Sequence, residues 1–171
     1  MSFESINPSN LRTRFDLELV LRMADRSDYS KWQQMLEDVL PRDYLFHFLP
    51  APDLNALDPF RVSEEGDHLR YDLFFALSKD DELTSGAVLA RDVTTNNAEL
   101  VMAIRNSWKG HGIGGSIFEY AIHLAKARGV KILWSVEELA NPSGLQFARD
   151  IGFSAHPLED EPGMMRLEMA L

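Results

Sequence analysis

Residues 108–115 read Trp-Lys-Gly-His-Gly-Ile-Gly-Gly, and from Ile113 onward apolar residues recur at helical spacing, at Ile113, Ile117, Ala121 and Leu124. A glycine-rich turn that opens a helix is suited to bind an anion. Glycine tolerates positive φ and close approach of a ligand, while the first N–H groups of the helix lack partners and carry the positive end of its dipole. Phosphate is the usual guest. The expected cradle is Lys109, Gly110, His111, Gly112, Ile113, Gly114 and Gly115. Loops of this kind bind mainly through the main chain, so the His111 ring is expected to face solvent within reach of the ligand.

Gly110, Gly112 and Gly115 also satisfy the G-x-G-x-x-G of dinucleotide-binding folds, and Glu137 lies at about the distance of a ribose carboxylate. The context argues otherwise. Such a fold runs its first strand almost directly into the first glycine, whereas here Arg105, Asn106, Ser107, Trp108 and Lys109 separate a strand at 99–104 from Gly110. Too little chain follows for the remaining strands. A P-loop is excluded because no Lys-Ser or Lys-Thr pair follows the glycines.

The segment resembles the acetyl-CoA loop of the GCN5-related N-acetyltransferase (GNAT) superfamily, whose pattern is Arg or Gln, two residues, Gly, any residue, then Gly or Ala. Lys109, Gly112 and Gly114 fill it, with Lys in the first place. The likeness extends to Ala98-Glu99-Leu100 before the loop, and to Asn141 and Ile151-Gly152-Phe153 after it. Within the superfamily the wording is most similar to the acetyltransferase domain of Pat-type protein lysine acetyltransferases, through Ala98-Glu99, Trp108 and Phe147-Ala148-Arg149. The N-terminal half agrees more loosely, through 21–28 and 44–48.

The resemblance implies a GNAT fold of the α/β (α+β) class, a mixed and mostly antiparallel central sheet with helices on both faces, and acetyl-CoA as cosubstrate. It implies that Met102, Ala103 and Ile104 pair through their main chain with the pantetheine arm, one N–H polarising the thioester carbonyl. Asn141 is a further implied cofactor contact. In acetyl transfer to an amine, the acceptor arrives mostly as ammonium and must lose a proton before it attacks. Glu99 is the candidate base, since the strand it begins leads to the cofactor loop and the matching Glu of Pat-like domains has that role. Strand alternation can point this carboxylate into the cleft or away from it. Many GNAT enzymes place a leaving-group Tyr where this chain has Ala148, and CoA thiolate is a tolerable leaving group without a dedicated acid.

No other chemistry competes strongly. The five histidines, His47, His68, His111, His123 and His156, are scattered without a pair at metal-ligand spacing on a helix, and there is no Cys, so no metal cofactor, disulfide or thiolate catalysis is expected. A net charge of −10 argues against nucleic-acid binding and suits a cationic acceptor, although such a balance is also ordinary for a soluble protein. No run approaches the roughly 18 apolar residues of a membrane span, so the expected setting is the cytoplasm, away from membranes.

These groups must be positioned by an alternating α/β chain. At 171 residues and 45% hydrophobic it can bury one good core, and we expect a flexible arm over 1–15 and one domain over 16–171. A strand at 16–23 leads to a helix capped by Asp25 or Ser27, carrying Trp32, Met35, Leu36 and Leu40, and ended by Pro41. An aromatic patch at 44–49 and a short helix around 55–60 follow. Strands at 71–77, 85–90 and 99–104 form an antiparallel meander, with Asp80, Asp81 and Glu82 as a solvated hairpin tip. After the loop come a helix stopped by Gly129, a buried strand at 130–136, a helix begun by Asn141-Pro142 and stopped by Gly152, and a strand at 164–170.

The expected activity is therefore transfer of an acetyl group from acetyl-CoA to a primary amine, by resemblance a protein lysine. A small-amine acetyltransferase and a non-catalytic acetyl-CoA-binding regulatory module are the alternatives, since the loop alone supports all three.

Overall fold

A computed structural model describes residues 9–13, 15–39 and 68–171. The aromatic patch at 44–49, the short helix at 55–60, His47, Leu40 and Pro41 lie outside the described residues.

Among the described residues eight strands form one sheet: β1 (Ser9–Arg12), β2 (Glu18–Met23), β3 (Leu69–Ser78), β4 (Leu83–Asp92), β5 (Asn97–Ile104), β6 (Ile132–Glu138), β7 (Ser154–Pro157) and β8 (Met164–Ala170). Their order is β1-β2-β3-β4-β5-β6-β8-β7. Every neighbouring pair is antiparallel except β5 with β6. The pairing of Tyr71 with Ala90 and Phe75 with Gly86 in antiparallel register removes the all-parallel dinucleotide fold.

Helices cover both faces. On one, α2 (Ile113–Ala127) and α3 (Pro142–Asp150) bury Leu124 and Leu145 against Phe74, Leu89, Leu100 and Leu133. On the other, α1 (Tyr29–Asp38) lays Trp32 and Met35 over Leu73, Phe75 and Val88. Full burial of each large apolar side chain stabilises the fold by about 1.5–3 kcal/mol, so the two layers hold the sheet rigid between them. Gly86 is needed for the second layer, because a Cβ there would stand 2.4 Å from the Trp32 ring.

Helix ends follow local chemistry. A single 3-10 turn at Arg26–Asp28 leads into α1, with Asp25 accepting from Ser27 N–H at 2.7 Å and Asp28 accepting from Asp25 N–H at 2.8 Å. Asp28 is buried, and burial pushes its carboxyl up. Two hydrogen bonds from Arg22, at 2.7 and 2.8 Å, together with the Asp25 N–H, bring it net below the usual range. At the far end of α2, Gly129 takes φ +76° while Val130 N–H reaches the Ala125 carbonyl and Gly129 N–H that of Lys126. This is the left-handed helix stop that the glycine's position predicts.

Two strands depart from the sequence reading. Ser9–Arg12, assigned to a flexible arm, pairs as edge strand β1 with β2, Leu11 facing Leu19. Ser154–Pro157 forms β7, an edge strand beside β8. Each is a four-residue segment too short for usable periodicity, and it is the exposed edge of its neighbour that orders it.

Candidate active site

The parallel ladder between β5 and β6 is short. Asn97, Ala98 and Glu99 face Ile132, Leu133 and Trp134, and beyond that rung the strands diverge. Where the ladder ends, Ser135 Oγ donates to the Leu100 carbonyl at 3.0 Å, a buried side-chain bond in place of a main-chain one. Arg105 N–H donates to the Thr84 carbonyl of the β4 side at 3.0 Å. By strand alternation, Ala103 and Val101 then direct their main-chain groups to β4, while Met102 and Ile104 direct theirs into the gap. The gap opens into a cleft of about 840 Å³.

Glu99 lines this cleft at the apex of the fork and is 1% exposed. In register, Glu99 stands in line with Ala90 on β4 and Trp134 on β6.

The loop forms one wall. A 3-10 turn at Asn106–Trp108 leads to Gly110 at φ +80° and Gly112 at φ +76°. Gly112 is the N-cap residue of α2, and no side chain caps that helix. Both φ values lie where glycine is favoured, so these two positions set the path of the loop. Gly114 and Gly115 already belong to α2. A Cβ on Gly114 would make ordinary contact with Ile104 Cδ1 and Met102 Sδ, at 3.7 and 3.8 Å, so the first turn of α2 rests on the end of β5. A Cβ on Gly115 would stand 2.8 Å from the Phe147 ring, so this glycine permits close packing of α2 on α3.

The opposite wall is built by β6 and the start of α3. Asn141 caps α3, its Oδ1 accepting from Gly144 N–H at 3.2 Å and from Ser143 Oγ at 3.1 Å. Its amide also hydrogen-bonds the half-buried Glu137 carboxylate, which accepts from Glu138 N–H at 2.9 Å. Burial pushes the Glu137 carboxyl up, and the Glu138 charge adds to this. The Glu138 N–H and Asn141 bonds oppose it without reversing the shift.

Of the residues singled out from sequence, Glu99, Met102, Ile104, Lys109, Gly110, Gly112, Ile113, Gly114, Gly115 and Asn141 all line the cleft. Ala103 and His111 do not line it. Ala103 is buried in the layer under α1. His111 folds back on its own loop, Nδ1 lying 3.1 Å from the carbonyls of Trp108 and Lys109 and its ring edge-on to Trp108 at 5.8 Å. Ala148, in the place of a leaving-group Tyr, is fully buried in the core. Sequence reasoning missed Ser135, and it read Glu82 as solvent-exposed, which it is, without its contact to Trp108. A lone serine in the apolar run Ile132-Leu133-Trp134-Ser135-Val136 was the available signal for the first, and nothing local marks the second. Among the described residues no three His, Asp or Glu side chains gather as a metal site, and no helix is long and apolar enough to cross a membrane.

The acetyltransferase (GNAT) family model matches residues 32–153. No curated protein matches the chain by sequence. Among solved structures, the GNAT domain of S. lividans PAT superposes with a TM-score of 0.72 at 21% identity, over 96% of this chain and 97% of that one. Spermidine N-acetyltransferase from Vibrio cholerae, in complex with CoA and spermine, gives 0.66 at 16% identity over 89% and 95%. A GCN5-related N-acetyltransferase from Kribbella flavida gives 0.64 at 13% identity over 90% and 98%.

Proposed function

This chain belongs to the acetyltransferase (GNAT) family of acyl-CoA-dependent N-acyltransferases, and from that premise we propose that it moves an acetyl group from acetyl-CoA to a primary amine on a protein lysine. The observation that carries the reading is the fork itself. A free strand edge at Met102 and Ile104, an uncapped helix N-terminus at Gly112 and a buried carboxylate at Glu99 converge on one cleft.

The residues present fit acetyl-CoA. The N–H groups at 112–115 suit its diphosphate, with Lys109 beside them, and the edge of Met102 and Ile104 offers a donor and an acceptor apiece to the amides of the pantetheine arm. Asn141 reaches the same arm only by exchanging one of its internal bonds. When bound, acetyl-CoA supplies an activated acetyl thioester. Glu99 takes the ammonium proton of the acceptor, directly or through water, and so makes the amine a nucleophile. A main-chain N–H of Met102 or Ile104, fixed by the β4 ladder, is the donor for a carbonyl oxygen that gains charge.

The choice of protein lysine rests on the likeness of wording around Glu99 and Trp108 to Pat-type domains and on the near-complete superposition with one of them. The charge of −10 supports a cationic acceptor. The test is to incubate purified protein with acetyl-CoA and lysine-containing protein, peptide or small-amine acceptors, reading thiol release. Turnover with protein or peptide acceptors supports the reading. Turnover with polyamines alone overturns the acceptor class, and tight CoA binding without turnover on any acceptor overturns the activity.

A further inference from the structure

We infer that Glu82, at the tip of the β3–β4 hairpin, is a positioning residue that aims the cofactor loop. The inference rests on the reading of residues 109–115 as the diphosphate cradle. Glu82 Oε1 accepts from Trp108 Nε1 at 3.1 Å, and Arg105 Nη1 lies 3.5 Å from the same oxygen. One carboxylate oxygen thus holds two residues of the segment that joins β5 to α2.

Trp108 is the large apolar residue of that segment, half-buried against the core, and His111 leans on it. The indole can pivot about its core contact, and the pivot is stopped where Nε1 meets Glu82. Arg105 and Asn106 are tied in turn to the end of α1: Arg105 Nε lies 3.6 Å from Asp38 Oδ2, and Asn106 Nδ2 donates to the Asp38 carbonyl at 3.2 Å. The hairpin tip is itself fixed to α1, because Lys31 Nζ donates to Asp81 Oδ2 at 2.5 Å. Asp81 and Glu82, exposed as the sequence reading expects, therefore also form a junction of hairpin, first helix and loop. Losing the Glu82 carboxylate frees Trp108, and Lys109 to Gly112 follow it, so the N–H groups lose their common aim while the core keeps its packing.

The test compares wild type with Glu82→Ala, Glu82→Gln, Trp108→Phe and the Glu82→Ala/Trp108→Phe double variant. CoA affinity is measured by calorimetry, KM for acetyl-CoA and kcat by thiol release, and the unfolding midpoint alongside. Expected is a roughly three- to tenfold weaker CoA affinity for Glu82→Ala and for Trp108→Phe, the scale of one lost hydrogen bond at a partly exposed carboxylate. KM rises in step, with kcat and the midpoint nearly unchanged. Glu82→Gln, which keeps an acceptor for the indole, falls between, and the double variant binds no worse than the weaker single one. Unchanged CoA affinity in Glu82→Ala overturns the role, as do strictly additive losses. A wild type that binds no CoA overturns the cradle itself, and with it this role, whereas binding without turnover leaves the affinity arm decisive.

Discussion

The hydroxyl of Ser135 donates to the main-chain carbonyl of Leu100 across 3.0 Å, one residue beyond the last rung that joins β5 to β6. The bond sets where the sheet splits, and so where Glu99 sits relative to the free edge at Met102. Ser135→Ala leaves a buried acceptor unpaired, for which about 1–3 kcal/mol of lost stability is expected. A lower urea midpoint at unchanged slope, with a raised KM for acetyl-CoA, is the predicted result. An unchanged midpoint would show that the carbonyl finds another donor.

Glu99→Gln keeps the shape of the buried side chain and removes its capacity to take a proton. Turnover is expected to fall roughly 10²–10⁴-fold at neutral pH, with CoA affinity retained. The deficit shrinks as pH rises, because more of the acceptor amine is then already neutral. Rates at pH 7 and pH 9 with saturating acetyl-CoA check both parts, and equal rates for the two proteins at pH 7 would remove Glu99 from catalysis.

Gly112 takes φ +76° at the point where α2 begins. A β-branched residue is strongly disfavoured there, so Gly112→Val must shift the loop or unwind the first turn of the helix. Loss of CoA binding in calorimetry is expected, with a lowered but still cooperative thermal transition, because of the first turn only Ile113 and Ser116 are buried while Ile117, Ala121 and Leu124 hold the rest of α2 in the core. Full affinity in this variant would mean that the diphosphate lies elsewhere.

Glu137 makes stability depend on pH with a definite sign. Burial raises its carboxyl pKa in the folded protein above its unfolded value, so between those two values the folded state binds the extra proton. Its contribution to stability therefore falls as pH rises through that window, and the cost is fully present above the folded pKa. Glu137→Gln, still able to accept from Glu138 N–H and Asn141, is expected to be more stable than wild type at pH 7 and to lose that advantage below pH ~4. Denaturation at both pH values measures it, and a variant less stable at pH 7 would show that the ionised carboxylate has a partner worth more than its burial costs.

By itself the amino-acid sequence determined whatever local chemistry dictates. The periodicity of Ile113, Ile117, Ala121 and Leu124, the helix stop at Gly129, the cap at Asn141-Pro142 and the glycine turn all depend on residues a few positions apart, and all stand in the structure as the pattern requires. The class of fold followed from the resemblance to the GNAT superfamily, and the order of these signals agrees with it. The tertiary structure alone decided that Glu99 lines the cleft as a buried residue, because that depends on how β5 pairs with β4 and separates from β6. It also decided that Met102 and Ile104, and not Ala103, offer main chain to the cleft, and that Glu82 meets Trp108 from 26 positions away. Strand pairing is long-range, and a side chain such as Glu82 or Ser135 has no local preference that marks its partner. The edge strands β1 and β7 make the same point, since four residues become a strand only where another strand's unpaired edge is waiting.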